Sequence, residues 1–264
     1  MNSVITLTSD YGSGSPYTAA IIGAALSHIP MARVVEISHQ LPAFDVVQGA
    51  FLLRSVYKNF PVGSIHLMCI DSAIALHKQL LIVEVDGHYF MGADNGMFSL
   101  LFDQLPGKVY RILENQYVAN ELFPEKNVFI PVLAKFLEQG DLRGLAEPSE
   151  INNIKMESQP VTTENGIRGI VMLVDGYGNA ITNIHRSLFE QIGSNRAFKV
   201  YYRNKQYIDH ISQQFHAAGV GDDILLYNEN GFLMVAIYKG RGAQLLGIKP
   251  STRVVVEFET EEGN

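Results

Sequence analysis

Ser3-Val4-Ile5-Thr6-Leu7-Thr8-Ser9-Asp10-Tyr11-Gly12-Ser13-Gly14-Ser15-Pro16 is the stretch whose reading decides the fold. Its apolar and β-branched start predicts a strand over 3–9. The Gly, Ser and Pro that follow are loop chemistry. Residues 17–28, rich in Ala, Ile and Leu, then predict a helix. The same alternation repeats downstream. A strand is expected at 33–37 and a helix at 45–58, where Val46, Ala50, Leu53 and Tyr57 share one face at helical spacing. A buried strand is expected at 64–70. Residues 80–86 and 88–91 read as a hairpin turning at Asp86-Gly87. A further helix starts near Pro131 and stops before Gly140. Strands alternating with helices predict an α/β N-terminal domain, residues 1–155, with a largely parallel sheet.

The character changes after about residue 150. Residues 156–166 read as a polar linker containing Pro160. Residues 167–264 read as an all-β C-terminal domain, a small barrel or a sandwich, with strand-like runs at 167–174, 197–202, 223–227, 232–238 and 252–258. The acidic tail from Glu257 to Asn264 reads as a frayed end.

The chain has 264 residues, 47% hydrophobic and 18% charged, which is globular composition. A net charge of −7 argues against a nucleic-acid partner, which needs dense Lys and Arg. The single cysteine, Cys69, lies in an apolar run and reads as a buried, inert thiol. No basic segment leads into an apolar stretch at the start, and no run reaches the roughly 20 apolar residues of a membrane helix. The expectation is a soluble cytoplasmic protein with no membrane partner.

Several polar clusters sit at the ends of expected strands, and each has a plain structural reading. Asp10 ends the first strand, where α/β sheets bind ligands, but it also suits a turn. Asp45 suits the cap of the next helix, and Phe44 before it can line a pocket or act as a hydrophobic staple. Asp71 ends a buried strand, with Lys78 seven residues on; the pair can polarise a water or form a surface ion pair. Asp94-Asn95-Gly96 and Asn228-Glu229-Asn230-Gly231 are turn signals. Asp175-Gly176-Tyr177-Gly178-Asn179 offers a carboxylate for an amine, a ring to stack and an amide to read a base edge, or a hairpin loop. No G-x-G-x-x-G, G-x-S-x-G or Walker loop occurs, and the eight histidines lack metal-ligand spacing. No metal and no cofactor is expected.

Taken in order, Ser9-Asp10-Tyr11-Gly12, Ser38-His39 with Phe44-Asp45, Phe60 to His66, Asp71, Gly92 to Gly96, Asp175 to Asn183 and Asn228 to Leu233 resemble the S-adenosylmethionine hydroxide adenosyltransferase and chlorinase–fluorinase family. The resemblance runs to about residue 247. It implies a β-barrel for the C-terminal domain and a homotrimer with sites at subunit interfaces. It implies a small adenosyl ligand, bound by Asp10 at the ribose diol, with Phe44 walling the pocket. Tyr177 and Phe215 would flank the adenine, Asn179 would hydrogen-bond it and Asp175 would meet the methionine amine. Asn95 and Asn228 join the binding set. It further implies hydrolysis of S-adenosylmethionine by water, with Asp71 and Lys78 in catalytic positions; Glu125, by its place in the chain, is the stand-in acid or base. Two departures stand out: Lys78 replaces the family's arginine, and Pro124 replaces its histidine. They leave a non-catalytic adenosyl-binding protein, a sensor or sequestering trimer, as the alternative. Halogenation ranks lower, because Glu125 would repel a halide.

Overall fold

The computed structural model describes residues 3–72, 79–113, 123–156, 158–203 and 206–260. The chain divides into two compact units, Met1–Met156 and Glu157–Asn264.

The first unit begins with strand β1 (Val4–Ser9), helix α1 (Pro16–His28), strand β2 (Arg33–Ser38), helix α2 (Val46–Val56) and strand β3 (Ile65–Cys69). Strands β4 (Leu80–Val85) and β5 (His88–Ala93), helix α3 (Met97–Leu101), strand β6 (Lys108–Ile112), helix α4 (Ile130–Gln139) and strand β7 (Ala146–Pro148) follow. Ser15 caps α1, its hydroxyl accepting from Tyr17 N–H, and Pro16 opens the first turn. Asp45 caps α2 as expected, accepting from Gln48 N–H at 3.0 Å and from the Gln48 amide at 2.6 Å. Pro131 lies in the first turn of α4, and Gly140 closes that helix at φ 78°.

The sheet order is β2-β1-β3-β5-β4-β6-β7. The pairings β1–β2, β1–β3 and β3–β5 are parallel, whereas β5–β4, β4–β6 and β6–β7 are antiparallel. The sheet is therefore mixed, not largely parallel. The Asp86-Gly87 turn is the reason. Both residues have positive φ, 53° and 76°, which suits a two-residue hairpin and sends the chain straight back on itself. Residue alternation along the strands builds two apolar layers. Ile5, Leu7, Ile65, Leu67 and Met91 face a cluster with Ile21, Ala25, Phe129 and Leu133. Met68, Ile70, Leu81, Val83 and Phe90 face another with Val46, Ala50, Leu53 and Phe98.

The second unit contains strands β8 (Val161–Thr163), β9 (Gly166–Val174) and β10 (Ala180–His185), helix α5 (Arg186–Gly193), and strands β11 (Phe198–Arg203) and β12 (Gln206–Ile208). Strands β13 (Asp223–Tyr227) and β14 (Phe232–Ile237), helix α6 (Gly242–Leu246) and strand β15 (Arg253–Phe258) complete it. Strand β8 lies inside the polar stretch 156–166 and pairs with β9. Every pairing in this sheet is antiparallel, in the order β12-β11-β15-β9-β10-β14-β13. The two end strands also approach each other, so the sheet is barrel-like. Strand β9 turns the corner: Gly166 to Ile170 pair with β15 and Val171 to Val174 with β10. At the corner Asn183 Oδ1 accepts from Ile170 N–H at 2.8 Å. Among the described residues no helix is long and apolar enough to cross a membrane.

One polar group is sealed into the core of the first unit. His66 is fully buried, with Nδ1 2.8 Å from Thr6 Oγ1 and Nε2 3.2 Å from His88 Nδ1. The rings of Tyr57, Phe60 and Phe90 surround it. Burial, then the neighbouring His88, push its pKa down to about 3. The unfolded chain binds this proton near pH 6.5 and the folded chain does not. The neutral ring's contribution to stability is therefore full above about pH 6.5 and is lost on acidification toward about 3. His66→Leu should lower stability by roughly 1–3 kcal/mol at pH 7.5, because Thr6 loses its partner. In urea titrations the gap between wild type and variant should narrow as the pH drops through this window. A gap independent of pH would contradict the assignment.

Candidate active site

Strand β1 lies between β2 and β3, so the chain leaves the sheet in opposite directions around it. In open α/β sheets such a switch of direction is where ligands bind, at the carboxyl ends of the strands, here β1 and β3. Asp10 and Tyr11 follow the first strand, and Asp71 and Ser72 the second.

Asp10 does not cap a helix. Its Oδ2 accepts from the Phe44 N–H at 2.7 Å, tying the β1 loop to the turn before α2. Gly12 N–H donates to the His39 carbonyl at 2.7 Å, and Ser9 Oγ lies 2.6 Å from His39 Nδ1, which strengthens the tie. Phe44 sits at φ 66° and is 71% exposed. It is held out from the core rather than stapled into it. A left-handed conformation costs a residue with a Cβ about 1–2 kcal/mol. The constraint has two visible causes: Asp45 must cap α2, and Asp10 takes the Phe44 amide.

Asp71 also has positive φ, 45°. Asn95 supports this bend from beneath: its amide donates to the Ile70 carbonyl at 2.8 Å and the Asp71 carbonyl at 3.4 Å. Its Oδ1 accepts from Met97 N–H at 3.1 Å and so starts α3. The Asn95 side chain is thus engaged with backbone. Its neighbour Asp94 accepts from Asn152 N–H at 2.8 Å and Asn153 N–H at 3.2 Å. Lys78 lies outside the described residues.

Glu125 opens a π-helical turn, Glu125–Phe129, directly after Pro124. It is only 2% exposed. Its pKa is raised, mainly by burial and further by the nearby Asp10 charge, with the neighbouring Ser72 and Tyr11 hydroxyls acting in the opposite direction. Cys69 is buried beneath, its thiol pKa driven well up by burial and by Glu125 and Asp10. Tyr11 packs against Tyr17 and Phe123, with ring centroids 5.6 and 6.3 Å away. Sequence reading did not place Tyr11 and Ser72 near Glu125, because only the pairing of β1 with β3 brings these strand ends together.

In the second unit, five residues picked from sequence line one cleft of about 890 Å³: Asp175, Tyr177, Asn179, Phe215 and Asn228. The β9–β10 loop is built by Asp175. Its Oδ1 accepts from the N–H groups of Tyr177 and Asn179 at 2.9 Å each, and its Oδ2 from the Asn179 amide at 2.8 Å. Three of the roughly four lone-pair directions of the carboxylate are filled, which leaves one for a ligand donor. Asn179 is buried, and among the described residues no hydrogen bond reaches its Oδ1. Tyr177 and Phe215 are 80% and 41% exposed, and both turn large apolar surface to the cleft. Asn228 Oδ1 closes the β13–β14 turn by accepting from Phe232 N–H at 2.9 Å. Sequence reading missed Tyr238, Lys239 and Arg241 on the same wall. Two cations alternating with Gly240 and Gly242 after an apolar strand were the available signal. Among the described residues no group of three or more His, Cys, Asp or Glu side chains is set to hold a metal ion.

Comparison with known proteins covers both units. The family model for the SAM hydroxide adenosyltransferase N-terminal domain matches residues 5–146, and that for the C-terminal domain matches residues 169–255. An (R)-S-adenosyl-L-methionine hydrolase of Methanocaldococcus jannaschii is 27% identical, over 93% of this chain and 92% of its own. An (R)-S-adenosyl-L-methionine hydrolase of Salinispora tropica is 24% identical, over 96% of this chain and 97% of its own. A crystal structure of a conserved protein from Thermotoga maritima superposes with a TM-score of 0.82 at 21% identity, over 96% of this chain and 99% of that one, and so shares the fold.

The strain at Phe44 is directly measurable. Phe44→Gly removes a Cβ from a left-handed position, so thermal stability should hold or rise, by up to about 1 kcal/mol. A clear fall in melting temperature would mean that the ring, not the backbone, stabilises this turn.

Proposed function

The chain belongs to the SAM hydroxide adenosyltransferase family, and on that premise we propose that it hydrolyses S-adenosylmethionine to adenosine and L-methionine. Water attacks the ribose 5′ carbon in line. A C–O bond forms, the C–S bond breaks, sulfur keeps the electron pair and the water's proton passes to a carboxylate. A sulfonium leaves as a neutral thioether, so the step needs no metal or other cofactor. The protein's contribution is alignment and partial desolvation of the nucleophile. The observation that carries the reading is similarity to proteins named hydrolases over more than nine-tenths of the chain.

In this reading the cleft of the second unit takes the adenine and the amino-acid end. Tyr177 and Phe215 flank the base, and the Asn179 Oδ1 accepts from its amino group. Asp175 uses its remaining lone pair on the α-amine, and Lys239 or Arg241 meets the carboxylate. Asn228 shapes the rim. In the first unit Asp10 binds the ribose diol, Phe44 walls the pocket and Asn95 holds the Asp71 bend. Asp71 orients the water with Lys78, and Glu125 takes up the proton. A halide nucleophile fits poorly, since two carboxylates, Glu125 and Asp10, would repel it. The reading includes a homotrimer, which sedimentation measurements would test.

A second reading, adenosyl binding without turnover, is favoured by Pro124 and Lys78 at the family's histidine and arginine positions. Chromatography of adenosine and methionine after incubation with S-adenosylmethionine separates the two. Hydrolysis predicts equimolar products, and a loss of about 10²–10⁴-fold in kcat for Asp71→Asn with binding intact. Binding with no products would establish the second reading, and no binding at millimolar ligand would remove both.

A further inference from the structure

The Ser38-His39 pair has no part in the hydrolysis step, yet the sheet puts His39 beside Asp10. The register of β1 on β2 runs Leu7 with Glu36 and then Thr8 with Ser38, so β2 carries one extra residue at that point. This bulge brings His39 level with Ser9 rather than with Asp10. The two side chains meet there, Ser9 Oγ lying 2.6 Å from His39 Nδ1. Ser9 is fully buried and the His39 ring is 11% exposed, so water competes little for the bond. The His39 main chain adds a second hold. Its carbonyl accepts from Gly12 N–H at 2.7 Å, and Gly12, at φ 81°, folds the loop back onto β2. One residue thus grips the loop after β1 at positions 9 and 12, on either side of Asp10.

We propose that His39 is a positioning residue: by bracketing Asp10 it holds that carboxylate in register with both hydroxyls of a ribose diol, and so sets a preference for ribonucleosides over deoxy analogues. The inference rests on the reading of Asp10 as the ribose ligand. A carboxylate grips two neighbouring hydroxyls only when its position and its plane match them both. Phe44 N–H, on Oδ2 at 2.7 Å, limits rotation of the Asp10 carboxylate. Among the described residues no hydrogen bond reaches Oδ1. Each oxygen has about two lone-pair directions, so both keep room for a hydroxyl. Phe44 therefore sets the plane, and His39 sets the backbone from which the side chain hangs. The state of the ring fits this task. Ser9 Oγ accepts from Tyr11 N–H at 3.5 Å, which leaves its own proton for His39 Nδ1. Burial holds the His39 pKa below its usual value against the pull of Glu36, whose carboxylate lies 3.8 Å from Nε2. At neutral pH the ring is thus uncharged, and Nδ1 accepts.

The test compares the affinities of adenosine and 2′,3′-dideoxyadenosine by calorimetry, and needs no turnover. The wild type should bind adenosine about 10- to 100-fold more tightly, the worth of hydrogen bonds to a charged group. Asp10→Asn should remove most of that ratio. His39→Leu should cut it to about 3-fold or less, with the dideoxy affinity unchanged, because a misplaced carboxylate no longer meets both hydroxyls. Ser9→Ala removes the same bond from its other end with a smaller change in the core, and should act alike. His39→Asn, whose side-chain carbonyl can still accept from Ser9, should restore most of the ratio. General loosening of the fold would weaken both nucleosides equally and leave the ratio alone. A ratio that collapses in Asp10→Asn but persists in His39→Leu and Ser9→Ala overturns the proposal and leaves the reading of Asp10 intact. A wild type that binds the two nucleosides equally overturns that reading, and the proposal with it. Should His39→Leu fail to fold, Ser9→Ala and His39→Asn decide by the same ratio.

Discussion

The first unit depends on one geometric constraint, the placement of β1 between two parallel neighbours. A strand in that position must have its connections leave on opposite sides, and the loops that follow β1 and β3 then part. Several polar side chains of the first unit gather at that parting. Asp10, Tyr11, Asp71 and Ser72 come from loops about 60 residues apart in sequence, yet they converge because the two strands pair in parallel with register Ser9 against Cys69. The apolar layers on both faces of the sheet keep the strands from slipping. A shift of one residue would turn Leu7 and Leu67 from one layer toward the other.

Convergence carries a cost in backbone conformation. Phe44 and Asp71, both residues with side chains, occupy left-handed conformations in the loops that follow β2 and β3. Each is held by a hydrogen bond from or to a polar side chain at another strand end: Asp10 for Phe44, Asn95 for Asp71. Strained residues persist only where their surroundings over-determine them. Asn95 is instructive in this respect. Its polar atoms are all used on backbone, so it shapes the bend beneath Asp71 while a ligand would meet the carboxylate above. The second unit solves a similar problem without strain in Asp175, whose carboxylate organises its own loop and keeps one direction open.

Much of this was legible in the sequence. Helix caps at Asp45, proline in the first turn of α4, glycine after it and the Asp86-Gly87 hairpin are local chemistry, decided by residues within a few positions of one another. The five residues of the second-unit cleft were legible too, as an ordered set of motifs. Less visible were the short elements α3, α5 and α6, whose five to eight residues give too little periodicity to read. Strands β6 and β7 lie on the sheet's antiparallel side and were not read as such.

By itself, then, the sequence determined the alternation of strand and helix in the first 155 residues, the change to strands after it, and the polar clusters at the strand ends and turns. These follow from periodicity, turn residues and composition, all of which act over short distances along the chain. Only the tertiary structure decided that the sheet is mixed, that Glu125 is buried, and that the strand ends leading to Asp10 and Asp71 lie side by side. Such facts depend on which strand lies beside which. Pairing is settled by the burial of whole faces, and no window of neighbouring residues contains it.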